Sequence, residues 1–122
     1  MARILIIDDD EHARTAIRRI LEYVGHSVLE AADGREGLRI YHNAPVELVI
    51  TDILMPEKDG LETIIALRKE FPEVKIIAIT GGGRTGHRDF LYVAERLGAK
   101  RTLHKPFDIQ ELIDAVHALL QG

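Results

Sequence analysis

The 122-residue sequence contains no cysteine. Disulfides, thiolate zinc sites and thiol redox chemistry are therefore excluded, and a reducing compartment is allowed. Aromatic residues make up only 5% of the chain and there is no tryptophan, which leaves few rings to sandwich a flavin. An excess of positive charge is also missing, because 16 Lys and Arg stand against 20 Asp and Glu, giving a net charge of -4. We therefore expect no direct binding to nucleic acid or to an anionic membrane surface.

Long apolar runs are absent from the sequence as well. No run approaches the ~20 residues that a membrane-spanning helix requires, and the segment 1–7 is too short and too quickly followed by charge to be a signal peptide. These observations predict a cytoplasmic protein. The chain has 46% hydrophobic and 30% charged residues, a balance typical of folded proteins. Its length is common for one domain, so we expect a single domain over 1–122.

Short apolar runs predict the strands of a sheet. The runs at 4–7, 48–50 and 76–79 are rich in branched residues, lack helical periodicity and end at polar residues. This pattern is typical of strands covered on both faces. Two weaker runs, 28–31 and 101–104, predict two further strands.

Amphipathic stretches alternate with these runs and predict five helices, around 13–24, between Asp33 and Pro45, from 61 to before Pro72, at 90–97 and at 109–120. Gly25 and Gly98 follow two of them as stop signals. Asp33 with Glu36 three residues later has the spacing of a capping box. Five strands alternating with five helices predict an α/β fold, with a parallel sheet, right-handed crossovers and helices on both faces.

Polar residues follow four of the predicted strands. Asp8 and Asp9 follow the first, Asp52 the third, Thr80 the fourth and Lys105 the fifth. In an open parallel sheet, functional groups collect beyond the carboxyl ends of the strands. The sequence therefore predicts that these side chains meet at one edge of the sheet.

Three carboxylates at one edge predict a metal site. Each pair of them repels by about 1 kcal/mol at ~4 Å in water, and by more at a lower dielectric constant. A hard cation relieves this repulsion, and carboxylates without His or Cys suit Mg²⁺, with Mn²⁺ as a substitute. A carboxylate can also attack phosphorus to form an acyl phosphate when positive charges stabilise the transferring group. Lys105 offers an ammonium and Thr80 a hydroxyl, so the set is suited to phosphoryl transfer.

At this point the motifs match a known family. The sequence resembles the bacterial two-component response-regulator receiver domain over essentially its whole length. The resemblance is carried by segments 4–10 (ILIIDDD), 51–56 (TDILMP), 59–60 (DG), Thr80, 98–99 (GA) and 105–107 (KPF).

The resemblance implies a flavodoxin-like, doubly wound sheet of five parallel strands in the order 2-1-3-4-5. It implies that Asp52 is the phosphoacceptor, phosphorylated by a histidine kinase or a phosphotransfer protein. A downstream protein would then recognise the phosphorylated form. The domain would be a signalling module and not an enzyme, although it would assist its own phosphoryl transfer and dephosphorylation.

The resemblance also assigns roles to the other site residues. It implies that Asp9 binds the metal directly, Asp8 through a water molecule and Leu54 through its backbone carbonyl. Thr80 and Lys105 become a phosphate-sensing pair. The peptide bond between Lys105 and Pro106 is expected to be cis, as only proline makes that isomer inexpensive.

The sequence departs from the family pattern at two places. Thr102 stands three residues before the lysine, where the family usually has an aromatic residue. The stretch from Thr80 to Lys105 is about three residues longer than the common spacing, and we place the extra length, with Gly81–Gly83, before the fourth helix. That loop is either a switch or a tolerated insertion.

Two other functions fit parts of the sequence. A haloacid-dehalogenase-type phosphatase places its nucleophile and a second Asp two residues apart after the first strand, and Asp8 and Asp10 have this spacing. That reading leaves the segment around Asp52 unexplained. A docking module that is never phosphorylated would not need the intact acidic set.

Overall fold

The predicted alternation of strands and helices is confirmed. The computed structural model describes residues 2–53, 60–80 and 87–121, and the side chains of the fourth helix from Tyr92 onwards. The strands are β1 Arg3–Ile7, β2 Ser27–Ala31, β3 Leu48–Asp52, β4 Ile76–Thr80 and β5 Arg101–His104. The helices are α1 Glu11–Tyr23, α2 Gly34–Asn43, α3 Gly60–Glu70, α4 His87–Leu97 and α5 Ile109–Gln121.

The strands form one parallel sheet in the order β2-β1-β3-β4-β5, as expected. Chain order reverses between β1 and β3, which lie side by side with Ile6 paired to Ile50. A crevice outside the carboxyl ends of the strands forms where the order reverses, and ligands bind there in folds of this kind. The topology therefore puts the ends of β1 and β3 at the centre of the candidate site.

Two hydrophobic cores cover the two faces of the sheet. Leu5 and Val49 point to the face that packs on α2, α3 and α4, whereas Ile4 and Ile50 point to the face that packs on α1 and α5. Because both faces of the sheet are buried, successive residues of a central strand are apolar and do not alternate with polar ones. This explains the continuous apolar runs of β1, β3 and β4.

The helix boundaries follow the predicted signals. The Asp33 side chain accepts a hydrogen bond from the Glu36 amide at 2.8 Å, while the Glu36 carboxylate accepts one from the Ala32 amide at 2.7 Å, one residue before the cap. Gly25 and Gly98 follow α1 and α4 with φ of 98° and 130°. L residues with side chains avoid this region, so glycine there favours the observed helix ends.

No helix in the described parts of the chain is both long enough and apolar enough to cross a membrane.

Candidate functional site

The structure brings the three predicted carboxylates together at the carboxyl edge of the sheet. Asp8 and Asp9 follow β1 directly, and Asp52 is the last residue of the neighbouring β3. One carboxylate oxygen from each residue lies within 4.8 Å of the other two. In the described segments, this is the one group of three or more acidic, His or Cys side chains close enough to share a metal ion.

The carboxylates differ in their exposure. Asp8 is 2% exposed and Asp52 is 8% exposed, whereas Asp9 is open to solvent. Burying a charged group is costly unless it is paired and hydrogen-bonded. Asp8 and Asp52 therefore need positive partners, while Asp9 can face an incoming ligand.

Lys105 supplies one positive partner. Its Nζ lies 3.2 Å from Asp52 Oδ2 and 3.4 Å from Asp8 Oδ2. Burial lowers the pKa of Lys105, but the nearby charges of Asp52 and Asp8 outweigh burial and leave this pKa raised. The ammonium is therefore protonated at neutral pH and faces two carboxylates.

The surroundings of Asp8 raise its pKa above the ordinary value of an aspartate, chiefly through burial. Burial raises the pKa of Asp8, and the charge of Asp52 raises it further. The Asp10 amide, which donates to Asp8 Oδ1 at 2.9 Å, and Lys105 lower this pKa without cancelling the rise. A divalent cation would favour the ionised form. The three oxygen donors, two of them buried, fit Mg²⁺ or Mn²⁺ by charge and by ligand type.

Thr80 lies at the same edge, as the last residue of β4. Its side chain is fully buried, and its Oγ1 has no hydrogen-bond partner in the described parts of the chain. Its backbone carbonyl accepts a hydrogen bond of 2.7 Å from the Lys105 amide. An unsatisfied buried hydroxyl costs about 1–3 kcal/mol of stability, so a hydroxyl at this position needs an explanation. The hydroxyl is a donor available to an acceptor that enters the site.

The remaining sequence expectations have different outcomes. The cis peptide between Lys105 and Pro106 is confirmed. Thr102 lies half-buried in β5 beside Ala78 of β4. Leu54, predicted to bind metal through its carbonyl, and Gly81–Gly83 lie outside the described residues.

Sequence reasoning missed two charged residues that support the cluster. Arg14 of α1 donates from Nη1 to the Asp8 carbonyl at 2.7 Å and forms an ion pair of 3.0 Å with Glu30 of β2. The sequence contained one sign of this, because Glu30 is a charged residue within an apolar strand. Its partner could be named only once the packing of α1 against β2 was known.

Gly60 is a second supporting feature, at the start of α3. Its amide donates to the Ile53 carbonyl at 2.7 Å. A Cβ at this position would lie 2.5 Å from Ile53 Cα and 2.9 Å from the carbonyl carbon of Asp52. Both contacts are with backbone, which cannot rotate away. Only glycine allows α3 to begin this close to Asp52.

Gly60→Ala should therefore destabilise the domain by about 2 kcal/mol, because a methyl group is forced into a packed backbone. Urea unfolding followed by circular dichroism measures the change. Lys69→Ala, at an exposed position of the same helix, should change stability by less than about 0.5 kcal/mol. A Gly60→Ala variant as stable as the parent would contradict the close packing of Gly60 against the backbone of Asp52 and Ile53.

The chain is similar to known proteins over almost its whole length. The family model described as the response regulator receiver domain matches residues 4–117. The chain is 36% identical to the response regulator MprA of Mycolicibacterium vanbaalenii over 119 residues, which is 98% of this chain and 50% of that protein. It is 32% identical over 121 residues to the transcriptional regulatory protein CpxR of Escherichia coli, covering 99% of this chain and 50% of CpxR. The chain thus spans about half the length of the curated relatives it matches.

Solved structures match just as closely. A response regulator receiver domain protein from Clostridium thermocellum superposes with a TM-score of 0.91 at 33% identity, covering 99% of this chain and 95% of that one. The receiver domain of NtrX from Brucella abortus gives 0.91 at 29% identity, covering 97% and 98%. These matches confirm the expected flavodoxin-like fold. The chain therefore belongs to the response regulator receiver domain family.

Proposed function

We propose that the chain receives a phosphoryl group on Asp52, next to a divalent cation held by Asp8, Asp9 and Asp52. One observation carries the proposal: the buried Asp52 carboxylate belongs to a three-carboxylate cluster and lies 3.2 Å from the Lys105 ammonium. A buried carboxylate with both a cation site and an ammonium beside it has what acyl phosphate formation requires.

The transfer itself is a substitution at phosphorus. A carboxylate oxygen of Asp52 forms the new bond to phosphorus while the bond between phosphorus and the donor's leaving atom breaks. When bound, a divalent cation would supply charge that neutralises the phosphoryl oxygens. Lys105 supplies further positive charge on the Asp52 side of the cluster. Leu54 stays a predicted backbone ligand of the cation.

Thr80 is suited to sense the phosphoryl group. Its buried hydroxyl, which has no hydrogen-bond partner among the described residues, can donate to a phosphoryl oxygen. The backbone bond from the Lys105 amide to the Thr80 carbonyl ties the two residues together. A movement of Thr80 towards the phosphoryl group would therefore alter the environment of Lys105 as well.

The partners follow from the family. We propose a histidine kinase or a phosphotransfer protein as the donor and an effector protein or domain as the reader. MprA is named a response regulator and CpxR a transcriptional regulatory protein, and in both the matched region is about half of the protein. We further propose that residues 1–122 act as one receiver domain, in the cytoplasm.

The phosphatase alternative has no support from the geometry. It needs Asp10 to act with Asp8, but Asp10 is exposed and caps α1, where its Oδ1 accepts a hydrogen bond of 2.9 Å from the His12 amide. Asp10 is not part of the carboxylate cluster.

Incubation with acetyl phosphate and Mg²⁺ tests the proposed function. Intact-mass spectrometry should show the gain of one phosphoryl group, which hydroxylamine removes because acyl phosphates react with it. Chelation of Mg²⁺ should prevent the gain. An unmodified chain, or steady hydrolysis of a phosphomonoester such as p-nitrophenyl phosphate, would contradict the proposal.

A further inference from the structure

Arg14 connects the carboxylate cluster to the edge of the sheet. Its side chain is only 16% exposed. Nη1 donates to the Asp8 carbonyl at 2.7 Å, and Nε donates to Glu30 Oε1 at 3.0 Å. A guanidinium carries several donors in one rigid plane, so it can hold two acceptors in a fixed relation. Arg14 therefore sets the distance between β2 and the turn that follows β1.

The backbone of Asp8 is linked to β2 directly through its amide and indirectly through Arg14 of α1. Its amide donates to the Ala31 carbonyl at 3.1 Å. Its carbonyl accepts from Arg14, and Arg14 is held in turn by Glu30, which directly precedes Ala31. The backbone position of Asp8 thus depends on two links to β2, the bond to Ala31 and the contact through Arg14 to Glu30.

The backbone position of Asp8 fixes its carboxylate. Oδ1 accepts from the Asp10 amide at 2.9 Å, and Oδ2 lies 3.4 Å from Lys105 Nζ. The side chains of a binding site must lie within about 0.5 Å of the geometry that binds the ligand. Residues that orient the ligands therefore affect metal affinity without touching the metal.

We propose that Arg14, held by Glu30, is a positioning residue that fixes the turn after β1 so that Asp8 and Asp9 can share one cation with Asp52. This inference rests on the proposed function for the cation. The fixed turn itself is a property of the metal-free chain, so it can be measured separately.

Arg18 provides a matched control. It lies one turn further along α1 and forms an ion pair with the other oxygen of the same Glu30 carboxylate. Its side chain is 39% exposed, and in the part of the chain that the structure describes it makes no hydrogen bond to Asp8. Arg14→Met and Arg18→Met each remove one guanidinium from Glu30, but only the first removes the bond to Asp8.

Mn²⁺ binding, followed by electron paramagnetic resonance of the free ion, tests the role in cation binding. Arg14→Met should weaken binding about tenfold, the size of effect seen when residues behind metal ligands are changed. Arg18→Met should stay within about twofold of the parent, a small effect because this side chain does not touch the turn. In the double variant, Glu30→Gln should weaken Mn²⁺ binding little beyond the loss caused by Arg14→Met, because both substitutions act through the contact between Arg14 and Glu30. Thermal unfolding checks that each variant is folded.

Amide hydrogen exchange in the metal-free chain tests the turn directly. The Asp10 amide should exchange faster in Arg14→Met than in the parent, since its acceptor on Asp8 is no longer fixed, and should be unchanged in Arg18→Met. Equal Mn²⁺ affinity in Arg14→Met and the parent, or an equal loss in Arg18→Met, would overturn the positioning role. A parent that binds no Mn²⁺ would instead show that the cation part of the proposed function has failed, and the inference with it.

Discussion

Asp52→Asn should abolish the gain of a phosphoryl group from acetyl phosphate, whereas Asp10→Asn should leave it intact. An amide is a far weaker nucleophile than a carboxylate and carries no charge to bind the cation. Asp52 is only 8% exposed, and its Oδ2 lies 3.2 Å from Lys105 Nζ, so the carboxylate that is replaced is the one nearest to the ammonium. Intact-mass spectrometry after incubation with acetyl phosphate and Mg²⁺ measures the phosphoryl gain of both variants.

The Asp10 control separates loss of the nucleophile from loss of the fold. Asn caps a helix about as well as Asp, so α1 should remain capped when Asp10 is replaced. Asp52→Asn also removes one of three neighbouring negative charges, so the metal-free variant should be at least as stable as the parent. Retained labelling of Asp52→Asn would disprove the assignment. Loss of labelling in Asp10→Asn alone would favour the phosphatase arrangement.

The fold could be predicted largely from local patterns. The apolar runs of β1, β3 and β4 have two buried faces, and this burial makes their sequence signal strong. β5 gave a weak signal because it lies at the edge of the sheet, where Arg101 is exposed and only Leu103 is buried. The resemblance to the receiver family, and not the periodicity, supplied the strand order.

The site could be predicted only in part. The rule for the ends of parallel strands was enough to bring Asp8, Asp52 and Lys105 together. It could not reveal that Arg14 bonds the Asp8 carbonyl or that it pairs with Glu30, sixteen residues away. Contacts of this kind depend on how a helix packs on a neighbouring strand, and no spacing along the chain encodes them. Likewise, only the structure shows that the Thr80 hydroxyl is buried without a hydrogen-bond partner in the segments that it describes.

That hydroxyl leads to a prediction in which stability and response change in opposite directions. Thr80→Val should stabilise the unphosphorylated domain by about 1 kcal/mol, because it removes a buried hydroxyl that has no hydrogen-bond partner in the described residues and keeps a similar shape. Urea unfolding measures this gain. Phosphorylation of Asp52 should still occur, since neither the carboxylates nor Lys105 are changed.

The response to phosphorylation should nevertheless be lost in Thr80→Val, because a methyl group cannot donate to a phosphoryl oxygen. The amide of Lys105, which donates to the Thr80 carbonyl at 2.7 Å, is a direct reporter. In the parent, its nuclear magnetic resonance signal should shift on addition of Mg²⁺ and a phosphoryl analogue such as beryllofluoride, and in Thr80→Val this shift should be much smaller. Thr80→Ser keeps the hydroxyl and loses a buried methyl, so it should keep the response while losing about 1 kcal/mol of stability. Two results would contradict this role of the hydroxyl as a donor to the phosphoryl group. One is a Thr80→Val variant that is less stable than the parent, and the other is a variant whose Lys105 amide signal shifts as much as in the parent.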